Sequence, residues 1–340
     1  MNQWWKPENF GQKTENLRTR MVLIRSVRKF FEERDFWEVE TPILQVCPVM
    51  DTHILGIKAD IRGVDKQIDR TRYLHTSPEF AMKKLLVAGL PKIFQICHVF
   101  RDAEASKRHS VEFTMIEWYR AEENYKVIMQ DCVDLLRFCA KELGIKAYSY
   151  RDKICDPFRD WEIISVDDAF RQYAGIKLSD YLDDAAGFNQ AIQEIGIRTA
   201  PGDAWDDLFF RVMDALIEPK LGNGVPTILC DYPVSLASLA RRKPEDSRFA
   251  ERFELYVCGV EVANAFGELT NAAEQEVRFA EELALKEQLY GDKYPVDQDF
   301  LDALKFGMPE SSGIALGIDR LVMLAVGTDD IDQVLWTEKP

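Results

Sequence analysis

Apolar residues at Leu17, Met21, Ile24, Val27 and Phe31 recur at spacings of three and four, which predicts an amphipathic helix over 17–34. Phe36-Trp37-Glu38-Val39-Glu40-Thr41-Pro42 follows and reads as an extended segment that a proline stops. Residues 93–101 and 111–120 read as two strands joined by a polar loop, Asp102–Ser110, and 125–143 again has helical periodicity. The stretch 150–225 reads as mixed helices and loops, the pattern of an insertion. Strand character returns over 226–232 and 252–265, and 311–327 reads as a glycine-bearing strand leading into an apolar helix. Few of these strands alternate regularly with helices. The expected class is therefore α+β, a mainly antiparallel sheet flanked by helices.

Alternation along 112–119 puts Phe113, Met115, Glu117 and Tyr119 on one face and Glu112, Thr114, Ile116 and Trp118 on the other. The first face offers a flat ring, a carboxylate and a phenol, a set suited to a nucleotide base at one end and a cation at the other. Arg101 closes the preceding strand, and the loop after it carries Glu104, Lys107, Arg108 and His109. On spacing alone, an ordinary hairpin with solvated charges in its turn accounts for this as well.

Two further constellations have the same standing. If Cys258-Gly259 is a two-residue hairpin turn, Glu261 pairs opposite Tyr256, and Glu254 sits diagonally from Glu261 on the same face. Close carboxylates repel unless a cation neutralises them, and hard oxygen ligands suit Mg²⁺. Two exposed acids on an edge hairpin are the alternative. In Ser312-Gly313-Ile314-Ala315-Leu316-Gly317-Ile318-Asp319-Arg320, small residues allow close approach to the backbone, and Arg320 falls at a helix start that favours an anion. The alternative there is a packing joint between strand and helix.

Composition narrows the class. A formal net charge of −15, with no basic stripe to offset it, lowers the expectation of nucleic-acid binding. The seven cysteines form no Cys-x-x-Cys pair, so reduced, mostly buried thiols are expected rather than a disulfide framework or a zinc site. No apolar run is long enough to span a bilayer, and the N-terminus lacks the pattern of a secretion signal, so a cytoplasmic protein is expected.

Taken in order along the chain, these segments resemble the three signature motifs of class II aminoacyl-tRNA synthetases, and most closely those of the lysine-specific branch. Val39-Glu40-Thr41-Pro42 is similar to motif 1, Phe100–Arg120 to motif 2 and Gly313–Leu324 to motif 3. Phe113-Thr114-Met115-Ile116-Glu117-Trp118-Tyr119 and Glu261-Val262-Ala263-Asn264-Ala265-Phe266-Gly267-Glu268-Leu269 are the most specific matches. The resemblance implies a synthetase catalytic domain over 17–340 with an insertion at about 150–225, preceded by an N-terminal extension over 1–16. It implies ATP and Mg²⁺ as cofactors and a homodimer built on motif 1.

The resemblance also implies roles. Arg101 would hold the α-phosphate and the amino-acid carboxylate, and His109 with Arg108 the outer phosphates. Phe113 and Arg320 would sandwich adenine, and Glu254 and Glu261 would hold the metal. Glu117, Tyr119 and Glu268 would take a side-chain ammonium, while Glu79 and Asn264 orient the amino-acid end. Three positions depart from the synthetase pattern. Ala103 stands where a Glu is usual, with Glu104 the candidate to replace it; Ser110-Val111 replaces Asn-Pro; and Ala265 replaces Gly.

Lysyl-tRNA synthetases carry an N-terminal OB domain that reads the anticodon, and only about sixteen residues precede the first catalytic-domain helix here. That architecture resembles the free-standing synthetase paralogues that ligate lysine to elongation factor P. Ala315 agrees, since the synthetases usually have Gly at this point and the ligases Ala. The implied activity is activation of lysine or (R)-β-lysine as an adenylate and its transfer to a lysine of elongation factor P, with no tRNA and no membrane partner. A truncated lysyl-tRNA synthetase, a non-catalytic lysine-binding paralogue and an ammonia-dependent asparagine synthetase are the competing readings. The last has an acidic substrate that suits Glu117 and Glu268 poorly.

Overall fold

A computed structural model describes residues 3–48, 50–237 and 239–339, so the first two residues of the expected N-terminal extension lie outside the described residues. The strands in chain order are β1 (Trp37–Glu38), β2 (Leu44–Gln45), β3 (Ile57–Arg62), β4 (Ile68–Leu74), β5 (Lys92–Phe100), β6 (Glu112–Ala121) and β7 (Tyr148–Tyr150). They continue with β8 (Lys153–Cys155), β9 (Glu162–Ser165), β10 (Thr227–Pro233), β11 (Phe249–Val257), β12 (Val260–Gly267) and β13 (Ser311–Gly317).

Eight of them form one sheet in the order β1-β5-β6-β13-β12-β11-β10-β9. The five pairings from β5 through β10 are antiparallel, and only the edge strands β1 and β9 pair in parallel. The α+β class and the mainly antiparallel sheet expected from the sequence are what the chain adopts. The edge strand β9 comes from the 150–225 stretch, where the pattern alone did not separate it from loops. A strand of four residues is too short to show a period of its own.

One face of the sheet is sealed by three helices. Ile116 and Trp118 of β6, Ile314 and Leu316 of β13, and Ala265 of β12 pack with the helices Thr14–Glu32, Tyr125–Leu143 and Ile318–Val326. The helix Tyr125–Leu143 repeats Ile128, Cys132, Leu135, Leu136 and Cys139 on its buried side. Its N-cap Asn124 accepts from Lys126 N, and Gly144 ends it in the left-handed conformation. A short helix, Pro7–Phe10, comes first, and the helix Thr14–Glu32 begins early enough that a boundary at 16/17 falls inside its opening turn. Thr14, Glu15 and Asn16 are polar and carry no apolar periodicity, although Glu15 suits the helix N-terminus. Its buried residues include Leu23, Val27, Phe30 and Phe31, while Met21 of the expected stripe faces outward.

The other face is left open in its middle. On one side Ile93 and Tyr119 pack with the helices Glu79–Val87, Ala272–Tyr290 and Gln298–Gly307. On the other, Leu229, Tyr232 and Tyr256 carry an apolar cluster built from the 150–225 stretch, including Phe170, Phe188 and Phe209. A cavity lies between these two shoulders, floored by β6, β13 and β12. Burying apolar surface on both flanks makes that floor rigid, and a rigid floor is what holds polar side chains at fixed spacing. None of the seven cysteines forms a disulfide, and six of them are buried. Among the described residues no helix is long and apolar enough to cross a membrane.

Candidate active site

The alternation expected along β6 holds. Phe113, Met115, Glu117 and Tyr119 line the cavity, while Ile116 and Trp118 are buried in the core behind it. The hairpin turn at Cys258-Gly259 also forms, with both residues at positive φ, as a two-residue turn of the primed type requires. Tyr256 pairs with Glu261 as the turn predicts. The register then slips by one, so that Leu255 pairs with Ala263 and Val262 has no partner. This bulge brings Glu261 and Asn264, three residues apart, to the same face. Both line the cavity, and the odd spacing would otherwise have turned one of them into the core.

The cavity gathers Glu79, Arg101, Glu104, Arg108, His109, Phe113, Glu117, Tyr119, Glu261, Asn264, Glu268, Ala315 and Arg320. Of the site residues singled out in the sequence, only Glu254 does not line it. Instead, the Glu254 carboxylate is held by Arg252 at 2.6 Å and accepts hydrogen bonds from the hydroxyls of Tyr232 at 2.6 Å and Tyr256 at 2.7 Å. The cavity also takes in Asp51, Thr76 and Ser77, polar residues to which the sequence reading gave no role. Asp51 lies on a segment tied down by Thr52 to Glu282 and by Lys286, which donates to Ile54 O at 2.8 Å.

One end of the cavity is cationic. Arg101 directly follows β5 and stands 5.3 Å over the Phe113 ring and 3.9 Å from Glu104, and its Nε is buried with no hydrogen-bond partner. A buried donor left unpaired in this way is set for an incoming anion. Arg320 donates to Glu261 O at 2.8 Å and to His109 Nε2 at 2.6 Å. Burial lowers the His109 pKa to about 4, with Arg320, Arg108 and Arg101 adding to the effect. His109 is therefore neutral. Nε2 accepts from Arg320, which assigns the proton to Nδ1, facing Ser106 Oγ at 2.6 Å. Arg320 is itself placed by its neighbour Asp319, which is buried and accepts from Thr114 N at 2.7 Å. Ala103, where the synthetase pattern has Glu, adopts a φ of 59°, and Glu104 is the acid that reaches the cavity.

The opposite end is acidic and deeply buried. Ser77 Oγ donates to Glu117 at 2.5 Å and the Tyr119 hydroxyl donates to it at 2.8 Å. Burial, then the charge of Glu79, push the Glu117 pKa up to about 8. Burial also raises Glu268 to about 7, although Lys83 works against the shift. Lys83, which the sequence reading missed, ion-pairs with Glu79 and with Glu268, each at 2.5 Å. The signal available for it was the Glu79–Lys83 spacing of four on a helix.

Between the ends, Asn264 is oriented by Arg252, whose Nε donates to its Oδ1 at 3.2 Å. Ala315 stands between Asn264 and Glu117 in the sheet register. Of the two carboxylates expected to hold a metal, Glu261 lines the cavity and Glu254 stands behind it. Burial raises the Glu261 pKa and the nearby charge of Glu254 adds to it, against Arg320, Arg101 and Arg252. Two carboxylates in mutual repulsion, without a closed cage of ligands, fit a Mg²⁺ that keeps waters and phosphate oxygens for the rest of its shell. Among the described residues no group of three or more metal-binding side chains is assembled.

A sheet of this topology carrying motif-like strands defines a class, and the chain matches the family model of class II tRNA synthetases (D, K and N) over residues 9–336. The chain belongs to that family. A relative from Histophilus somni (strain 2336) is 37% identical over 338 residues, covering 98% of this chain and 97% of its own, and is named elongation factor P–(R)-β-lysine ligase. A protein of the same name from Avibacterium paragallinarum is 37% identical over 331 residues, covering 97% and 96% of the two chains. Another from Photobacterium profundum is 36% identical over 335 residues, covering 98% of each. Family and relatives together make the chain a ligase of the synthetase type.

Proposed function

We propose that the chain activates (R)-β-lysine, or lysine, with ATP and transfers it to a lysine ε-amino group of elongation factor P. The observation that supports this best is one cavity with guanidinium groups at one end and three carboxylates, Glu79, Glu117 and Glu268, at the other. Triphosphate suits the first end, and a ligand bearing two ammonium groups suits the second.

In the first step the substrate carboxylate attacks the α-phosphorus, an acyl–phosphate bond forms, and pyrophosphate leaves. Arg101 and Arg320 neutralise the charge that builds on the phosphate oxygens. Glu254 and Glu261 would hold Mg²⁺, which supplies charge to the phosphates. In the second step the acceptor amine attacks the acyl carbon, loses a proton, and expels AMP to leave an amide. No side-chain nucleophile is needed. A homodimer fits the exposed apolar residues Trp37, Ile43 and Leu44 on the segment carrying motif 1. No tRNA partner is proposed, given the net charge of −15.

Intact-mass analysis of elongation factor P incubated with ATP and each lysine isomer tests the reading. A gain of one lysyl group is expected, and no gain beside efficient tRNA charging would replace it with the synthetase reading. Ala315→Gly removes the methyl between Asn264 and Glu117 and is expected to lower the preference for (R)-β-lysine over α-lysine by roughly tenfold in kcat/KM. An unchanged ratio would show that Ala315 does not set the choice.

The acidic end also sets a pH dependence. Glu117 and Glu268 hold protons in the empty site up to about pH 8 and about pH 7. An ammonium needs them ionised, so the amino-acid KM should fall roughly tenfold as pH rises from about 6 to about 8. The empty protein behaves oppositely. Raised carboxyl pKa values contribute stability below the unfolded value, and that contribution fades as pH climbs through 7 and 8. A ligand-induced rise in melting temperature should therefore grow across this range, and a flat profile would argue against ionisation on binding.

A further inference from the structure

Lys83 sits on the helix Glu79–Val87 and is 1% exposed, yet it does not line the cavity. It stands behind two carboxylates that do. Its Nζ meets Glu79 Oε1 and Glu268 Oε2, each at 2.5 Å. Both Glu268 oxygens are buried and neither accepts a hydrogen bond, but only Oε2 has the Lys83 ion pair, while Oε1 has no such partner. It lies over Gly313, since a Cβ placed there would come within 2.7 Å of it and would run into the Tyr119 ring. Glu268 thus gives one oxygen to a fixed cation and turns the other toward the ligand space.

Burial by itself would expel the proton from Lys83, but the charges of Glu268 and Glu79 outweigh it and keep the ammonium. Three carboxylates against this one cation leave the acidic end two negative charges in excess when ionised, which a ligand with two ammonium groups balances. We infer that Lys83 is a positioning residue for amino-acid recognition, the built-in cation that fixes the two carboxylates to which the substrate ammonium groups bind. This rests on the proposed reading that the acidic end receives an amino acid with two ammonium groups.

The test measures binding of lysine and (R)-β-lysine to the full chain by titration calorimetry, together with KM and kcat in ATP–pyrophosphate exchange. Lys83→Met is expected to weaken amino-acid binding and raise its KM by roughly thirty-fold or more, with the ATP KM within about threefold. Lys83→Arg, which keeps the charge but displaces the carboxylates, should lose only about threefold to tenfold, again for the amino acid alone. Because Lys83 acts through Glu268, the double variant Lys83→Met/Glu268→Gln should bind no more weakly than the weaker single variant.

An amino-acid KM within about threefold of wild type in Lys83→Met, or fully additive losses in the double variant, would overturn the proposal. If Lys83→Met does not fold, Lys83→Arg decides: a loss confined to the amino acid supports the role, while equal losses for both substrates or none at all overturn it. Wild-type protein that binds the amino acid but modifies no acceptor removes the ligase reading alone. Wild-type protein that binds no such amino acid removes both.

Discussion

Arg101→Ala is expected to lower ATP–pyrophosphate exchange by about a thousandfold or more while leaving the fold intact. Arg101 directly follows β5, where its N donates to Val111 O at 2.9 Å, so its backbone is anchored and its guanidinium is not. Among the described residues its ion-pair contact is Glu104, 3.9 Å away, and Nε has no hydrogen-bond partner. The side chain is therefore not spent on holding the structure together. Removing one preorganised donor aimed at developing charge typically costs a factor of about 10² to 10³, and a guanidinium proposed to hold both the α-phosphate and the amino-acid carboxylate stands at the upper end or beyond. The acidic end lies elsewhere in the cavity, so some amino-acid binding should persist. Exchange within tenfold of wild type would remove Arg101 from the chemistry and with it the assignment of the cationic end.

Gly313→Ala is expected to raise the amino-acid KM by about a hundredfold and to cost about 1–3 kcal/mol of stability. The backbone of β13 pairs Gly313 directly with Tyr119, and the added methyl would collide with that ring and crowd Glu268 Oε1. Both neighbours belong to the acidic end, and neither can retreat, because Tyr119 is 3% exposed and Glu268 1%. The ATP KM should change little, which distinguishes a blocked pocket from a failing fold. A variant that binds lysine as well as wild type would mean that the space over Gly313 is not where the ligand lies.

Much of this site could be read before any coordinates were known. Period-two alternation placed Phe113, Met115, Glu117 and Tyr119 on one face because a strand admits only two faces, and apolar Ile116 and Trp118 marked the buried one. The pairing of Tyr256 with Glu261 followed from a turn of two residues. What escaped is non-local or irregular. The bulge at Val262 adds one residue to one strand, and nothing in the local composition announces it, so the shared facing of Glu261 and Asn264 could not be derived from spacing. The same bulge moves Glu254 to pair with Asn264 rather than sit diagonally from Glu261, and its orientation was not legible either, since Arg252, Tyr232 and Tyr256 converge on it from two strands. Lys83 meets Glu268 across 185 residues of sequence, a contact that helical periodicity does not report.

Trp118 and Glu117 are consecutive in the chain, yet one faces the core and the other the ligand space. The same holds for Ala265 and Asn264. Structural and chemical duties are thus interleaved along each strand rather than assigned to separate segments. A lineage can exchange the cavity-facing letters for a new amino acid or acceptor while the inward letters go on specifying one scaffold, so diversification of substrate within this architecture requires no new fold.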